Sequence, residues 1–174
     1  MVGALPATPH RDEGVTEAMF ERLEETSLAL WVGESLWGYP LMLSLHVVGL
    51  AVVVGLFAMR DLRLLGCFAG VAHGSLAGLV KLGWTGFIVN AASGVALFSS
   101  QATTFIESTP FLLKIGSIFL AAVLAAIIQN RSAAFAAAWD SGETAPTAPV
   151  RAIAAASLTL WIGAIVSGRL IAYL

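Results

Sequence analysis

Few side chains here suit chemistry, and the first of them stands where it is expensive. His46 lies within Ser35–Met59, a stretch free of Asp, Glu, Lys and Arg. An ionisable group inside such a stretch is costly in lipid and normally faces protein. A neutral imidazole is also the commonest metal ligand among side chains. Met42 and Gly49 lie one helical turn to either side. A glycine there would let a flat ring approach the helix. His46 and Gly49 are therefore candidate cofactor-binding residues for a b-type haem, a chlorin or a quinone. The plain alternative is a hydrogen bond from His46 to a neighbouring helix, through a residue such as Asn90.

A bis-histidine haem needs a second histidine from another span. His10 is close to the N-terminus, and His73 falls between residues 64 and 80. His73 joins the candidate site only if that segment crosses the membrane. Arg169, five residues from the end, carries a planar fork suited to a carboxylate, a propionate or a phosphate. Glu34 is its candidate partner, and snorkelling to lipid phosphate is the simpler role. Met42 and His46 share a face at i and i+4, which raises metal handling or transport with too few ligands. The one cysteine, Cys67, permits neither an intrachain disulfide nor a multi-cysteine metal site. No phosphate-binding loop, H-E-x-x-H or C-x-x-C is present, so no catalytic residue is expected.

These residues are embedded in a chain built for lipid. Of its 174 residues, 58% are hydrophobic and 11% charged, with mean hydropathy +0.86. A soluble domain carries about 25% charged residues. Net charge is −2, without a basic run, which argues against nucleic acid as a partner. A membrane helix needs ~20 mostly apolar residues. Four spans are expected, at about 35–59, 82–101, 110–130 and 152–173. Segment 64–80 holds Gly66, Gly70, Gly74, Ser75 and Gly78, a poor helix-forming set. It reads as an interfacial helix after span one, with a fifth span as the alternative.

Residues 1–33 form a separate polar, acidic tail. Pro6, Thr8 and Pro9 and the run His10 to Glu13 read as flexible. Thr16 would cap a short amphipathic surface helix with Met19, Phe20 and Leu23 on one side. Its acidity suits a protein neighbour better than anionic lipid. Residues 34–174 make the all-α, four-span bundle. Arg60, Arg63, Lys81, Arg131 and Arg151 crowd two loops, which places those loops in the cytoplasm and both termini outside a bacterial inner membrane. Trp31, Trp37, Tyr39 and Tyr173 would form the aromatic belt of the outer face.

Several strings carry a resemblance: Ser35-Leu36-Trp37-Gly38-Tyr39-Pro40-Leu41, Leu45-His46-Val47-Val48-Gly49-Leu50, Asp61-Leu62-Arg63-Leu64-Leu65-Gly66, Thr109-Pro110-Phe111-Leu112-Leu113-Lys114 and Gly168-Arg169-Leu170-Ile171-Ala172-Tyr173-Leu174. Residues 35–174 resemble a bacterial family of small four-helix integral membrane proteins with no assigned function. The resemblance implies four spans with a surface helix after the first, and no reaction. The expected function is that of an integral membrane subunit that binds or anchors partner proteins without catalysis. The alternatives are an electron carrier holding a b-type haem or other planar ring on His46, and a small transporter or metal-handling protein.

Overall fold

A computed structural model describes residues 11–173, with side chains from Val15 onward. Every regular element among them is a helix: α1 (Arg11–Glu24), α2 (Ser27–Glu34), α3 (Gly38–Leu64), α4 (His73–Gly78), α5 (Val80–Ser99), α6 (Ala102–Glu107), α7 (Thr109–Asp140) and α8 (Ala148–Leu170). Four of them, α3, α5, α7 and α8, are long and apolar enough to cross a membrane. The chain is thus a membrane protein built on a four-helix bundle. The residues from Pro6 to His10, expected to be flexible, lie outside the described residues.

Helix ends follow local chemistry. Pro40 falls in the first turn of α3 and Pro110 in that of α7, where a missing N–H breaks no helical bond. Ser108 caps α7, its hydroxyl accepting the Phe111 N–H. Thr26 caps α2 by accepting the Ala29 N–H. Segment 64–80 holds no helix long enough to cross a membrane. Gly66 and Phe68 both take positive φ, 102° and 52°, and only the six residues of α4 are helical before α5 begins. This overturns the fifth-span alternative and, with it, the placing of His73 in a span.

Lipid tails are as apolar as leucine, so membrane helices associate through close packing and polar contacts. Here α3 packs along α5 and α8, and α7 along α8. At the α3–α5 crossing, a Cβ on Gly49 would meet the Asn90 backbone nitrogen at 2.7 Å and the Gly86 carbonyl oxygen at 2.9 Å. One on Gly86 would strike Val52 at 2.7 Å. Only glycines let the two backbones touch there. The apolar core comprises Val53, Phe57, Ala121, Ala125 and Trp161, with a second cluster of Leu64, Ile128, Trp139, Val150 and Ala154 nearer the α3 C-terminus. Helices α5 and α7 do not pack closely along their length. Aromatic side chains bridge them at one end, where Phe98 stacks on Phe111 at 5.3 Å.

Candidate functional site

Where α5 and α7 part, a groove of about 370 Å³ opens on the side of the bundle. His46 from α3 lines it, together with Phe87, Asn90, Gly94 and Phe98 from α5 and Phe111 and Lys114 from α7. His46 is the ninth residue of α3. At 1.5 Å per residue that is ~12 Å from the helix start, well inside the span.

The imidazole is held by α5. Its Nδ1 lies 2.9 Å from the Asn90 carbonyl oxygen. A carbonyl only accepts, so Nδ1 carries the hydrogen and donates it. The Asn90 side chain returns a bond, its Nδ2 donating to the His46 carbonyl at 2.8 Å. Ser93 stands 3.4 Å from Nδ1 and donates to the Val89 carbonyl at 2.6 Å. Gly94 leaves room for the ring, since a Cβ there would sit 3.1 Å from His46 Cε1. Nε2 is left as a lone-pair acceptor with no hydrogen-bond partner among the described residues. A backbone carbonyl fixing one ring nitrogen while the other stays open is also how proteins orient histidines that bind something.

Among the described residues, Lys114 is the one cationic side chain lining the groove. Its stem rests on α8, where a Cβ on Gly168 would be 3.4 Å from Lys114 Cδ and Cε. The ammonium makes no hydrogen bond or ion pair among the described residues. Lys114 was not among the site residues expected from the sequence. What signals it is position, five residues inside a helix opened by Ser108 and Pro110.

The other candidates do not join His46. Gly49 lies beneath the α5 backbone, so it cradles no ring. Its role is the helix crossing. Arg169 is exposed, donates to the Tyr173 hydroxyl at 2.8 Å and lies over that ring at 5.2 Å. It borders a separate hollow with Tyr39, Gln101 and Glu107, and Glu34 is not its partner. His73 stands at the opposite end of the bundle, in edge contact with Trp139 at 5.3 Å. Its backbone N–H and that of Gly74 donate to the Asp140 carboxylate at 2.7 and 2.9 Å. Burial pushes the His73 imidazole below its ordinary value and Arg63 adds to this, while Asp140 opposes it. Arg63 itself donates to the Val71 carbonyl at 2.6 Å. His46 and His73 therefore cannot share a haem. Among the described residues no group of three His, Cys, Asp or Glu side chains comes together to hold a metal.

A second polar cluster went unread in the sequence because Arg60 looked like the first loop residue. It is instead buried within α3, at 4% exposure, and pairs with the fully buried Asp61. Nε and Nη2 of Arg60 donate to Asp61 Oδ1 at 3.0 and 2.8 Å, and Nη1 donates to the Ala125 carbonyl of α7 at 3.0 Å. The guanidinium also faces Phe57 at 5.0 Å. Asp61 Oδ2, Ser157 Oγ and Trp161 Nε1 are buried with no hydrogen bond within 3.5 Å, and Ser157 stands against the Asp61 carboxylate. This cluster lines none of the bundle's hollows described above.

The acidic N-terminal segment folds back onto the bundle. Glu24 accepts from the backbone N–H and hydroxyl of Thr103 at 2.8 and 2.7 Å. Those bonds hold its carboxyl below the usual carboxylate range. Phe20 meets Phe98 edge-on at 6.1 Å.

No protein-family model, no curated protein and no solved structure matches the chain.

Proposed function

We propose that this is a non-catalytic integral membrane protein that works by binding, and that its site is the groove between α5 and α7. What supports this is one arrangement: an oriented histidine with an open Nε2 and a lysine without a counter-ion, both lining a slot that is otherwise almost wholly apolar. The groove opens sideways on a bundle that lipid surrounds, so its occupant enters from the membrane rather than from water. Proteins place ligand sites in such concave, mostly apolar clefts with a few polar groups that orient the guest.

The anchoring of partner subunits remains the second reading. Leu36 and Trp37, at 80% and 74% exposure beside Trp31, offer an apolar rim at one end of the bundle. The acidic tail supports it less than expected, because Glu24 and Phe20 already bind their own chain. A haem on His46 is also weakened, since Gly49 is covered and the groove brings no second axial ligand from His73. We further propose that the chain belongs with the small bacterial four-helix membrane proteins it resembles, with α1 and α4 at the membrane surfaces and the Arg63, Lys81, Arg131 and Arg151 end in the cytoplasm. Arg60 leaves that count, being neutralised inside the bundle.

The test is to fill the groove. In Gly94→Leu the new side chain projects onto His46, 3.1 Å from its first carbon. Small molecules extracted from gently purified wild type and variant are compared by mass spectrometry, beside oxidised and reduced visible spectra. A compound at near-equal stoichiometry in wild type, lost in Gly94→Leu, is the expected result. Identical extracts from both would remove the groove as the site.

A further inference from the structure

Building on the groove reading, we infer that its occupant is a single-chain amphiphile with a carboxylate head, held between Lys114 and His46. The groove's lining contains a lysine and a histidine but no acidic side chain. An ammonium taken out of water without an anion is strongly disfavoured. Lys114 has no such partner within the described chain; it is half-buried, with its stem against Gly168. The missing anion is therefore the ligand's.

The geometry of the two nitrogens selects the head group. Lys114 Nζ only donates, and His46 Nε2 only accepts while Nδ1–H is bonded to Asn90. A carboxylate answers Lys114 directly, accepting from the ammonium and supplying its counter-charge. It reaches His46 when one proton is taken up from solution with the ligand: Nε2 then carries that proton and donates to the second oxygen, while Nδ1–H stays bonded to Asn90. A quinone carbonyl could meet Lys114 but would leave the ammonium's charge unanswered. The tail follows the phenylalanines, with Phe87, Phe98 and Phe111 forming the slot. About 370 Å³ is at the small end for ligand sites and suits one chain better than two. Depth separates a free acid from a phospholipid. His46 lies ~12 Å inside the helix start, below the level at which a phospholipid's phosphate sits.

The experiment uses the full chain in detergent micelles with two fluorescent probes, cis-parinaric acid and its uncharged methyl ester. The acid is expected to saturate at one per chain and the ester to bind at least about tenfold more weakly, a difference of ~1.4 kcal/mol. Lys114→Met should make the two probes equal, whereas Lys114→Arg should keep the preference. Equal binding of acid and ester to the wild type, or an unchanged preference in Lys114→Met, overturns the carboxylate while leaving the groove in place. Displacement of the acid by dioleoylphosphatidylglycerol as effectively as by oleic acid assigns the site to a lipid headgroup and also overturns it. Binding of neither probe, with identical extracts from wild type and Gly94→Leu, removes the groove reading itself. If Lys114→Met does not fold, the acid–ester comparison and the competition on the wild type decide alone.

Discussion

Replacing Asp61 should destabilise the bundle more than any other single loss of charge. Asp61 receives two of the three hydrogen bonds that Arg60 makes, at 3.0 and 2.8 Å. In Asp61→Ala the guanidinium stays buried with one bond left, to Ala125, and with the face of Phe57. Two N–H groups lose their acceptor, each costing about 1–3 kcal/mol, and the positive charge loses its counter-ion. Removing one partner of a buried pair costs about 3–5 kcal/mol in total. Arg60→Met combined with Asp61→Val removes both charges and leaves an apolar patch against Ala125 and Phe57. That double variant should lose ~1 kcal/mol or less, because a buried pair replaced by well-packed apolar residues is often neutral. Reversible unfolding in mixed micelles, followed by tryptophan fluorescence, measures both. Trp161 stands 5.9 Å from Phe57 and so reports on this layer. Additive losses in the single and double variants, or a loss in Asp61→Ala below ~1 kcal/mol, would show that the pair behaves like a solvated surface bridge and that Arg60 is not held as described.

Gly49→Val should cost about 1–3 kcal/mol by overpacking, since its Cβ would meet α5 backbone at 2.7 Å; the same unfolding assay checks it, and wild-type stability would rule out the crossing. Asp140→Ala removes the acceptor of two backbone bonds at the start of α4, and faster hydrogen exchange confined to residues 71–79 is the expected readout. His73 is held below its ordinary value near 6.5, so the folded state disfavours its charged form. Its contribution is present above that value and lost as pH falls below it, and exchange of the α4 amides should quicken over that window but not in His73→Phe. Glu24 is depressed by its bonds to Thr103. Its stabilising contribution is therefore present above the ordinary value of 4.5 and lost as pH falls through the lower folded value. The Thr103 amide should lose protection there in the wild type, with Glu24→Ala unprotected throughout.

The spans were legible because lipid demands long apolar helices, and their ends were not because charge marks the edge of hydrocarbon rather than the end of a helix. The sequence suggested that the first span stops at Met59, yet α3 runs to Leu64. Arg60 and Asp61 continue it by neutralising each other, and residues at i and i+1 do not normally face one another on a helix, so the pair gave no signal. Likewise α7 continues past Asn130 to Asp140. Arg131 interrupts the apolar run, but the alanines that follow are the best helix formers. The glycines of segment 64–80 correctly marked it as poor helix. They did not reveal that Asp140, 66 residues away from Gly74, fastens its only helical part. The site was half visible. His46 stood out by its cost, and Asn90 was available as a partner. The buried stripe Gly83, Gly86, Asn90 and Ser93 on α5 has helical spacing and could have marked the face that receives α3. Lys114 could not be joined to His46 without knowing that α5 and α7 diverge.

Access, rather than polarity, separates the two polar clusters. Arg60 and Asp61 carry full charges, and Ser157 and Trp161 next to them each have a buried polar atom with no hydrogen bond within 3.5 Å. All four are sealed between α3, α7 and α8, at no more than 4% exposure, so no membrane solute reaches them. Their effect is on which packing the three helices adopt. His46 and Lys114 carry less polarity, but both line a groove open to the bilayer. An open valence matters for binding only where a guest can arrive. Lys114→Met should therefore leave stability nearly unchanged while altering what the protein carries, and Asp61→Ala should do the reverse. Each variant put through both the unfolding assay and the probe titration separates the roles. If Lys114→Met unfolded the bundle as readily as Asp61→Ala, its ammonium would hold the bundle together as well, and the acid–ester comparison on the wild type would decide the site alone.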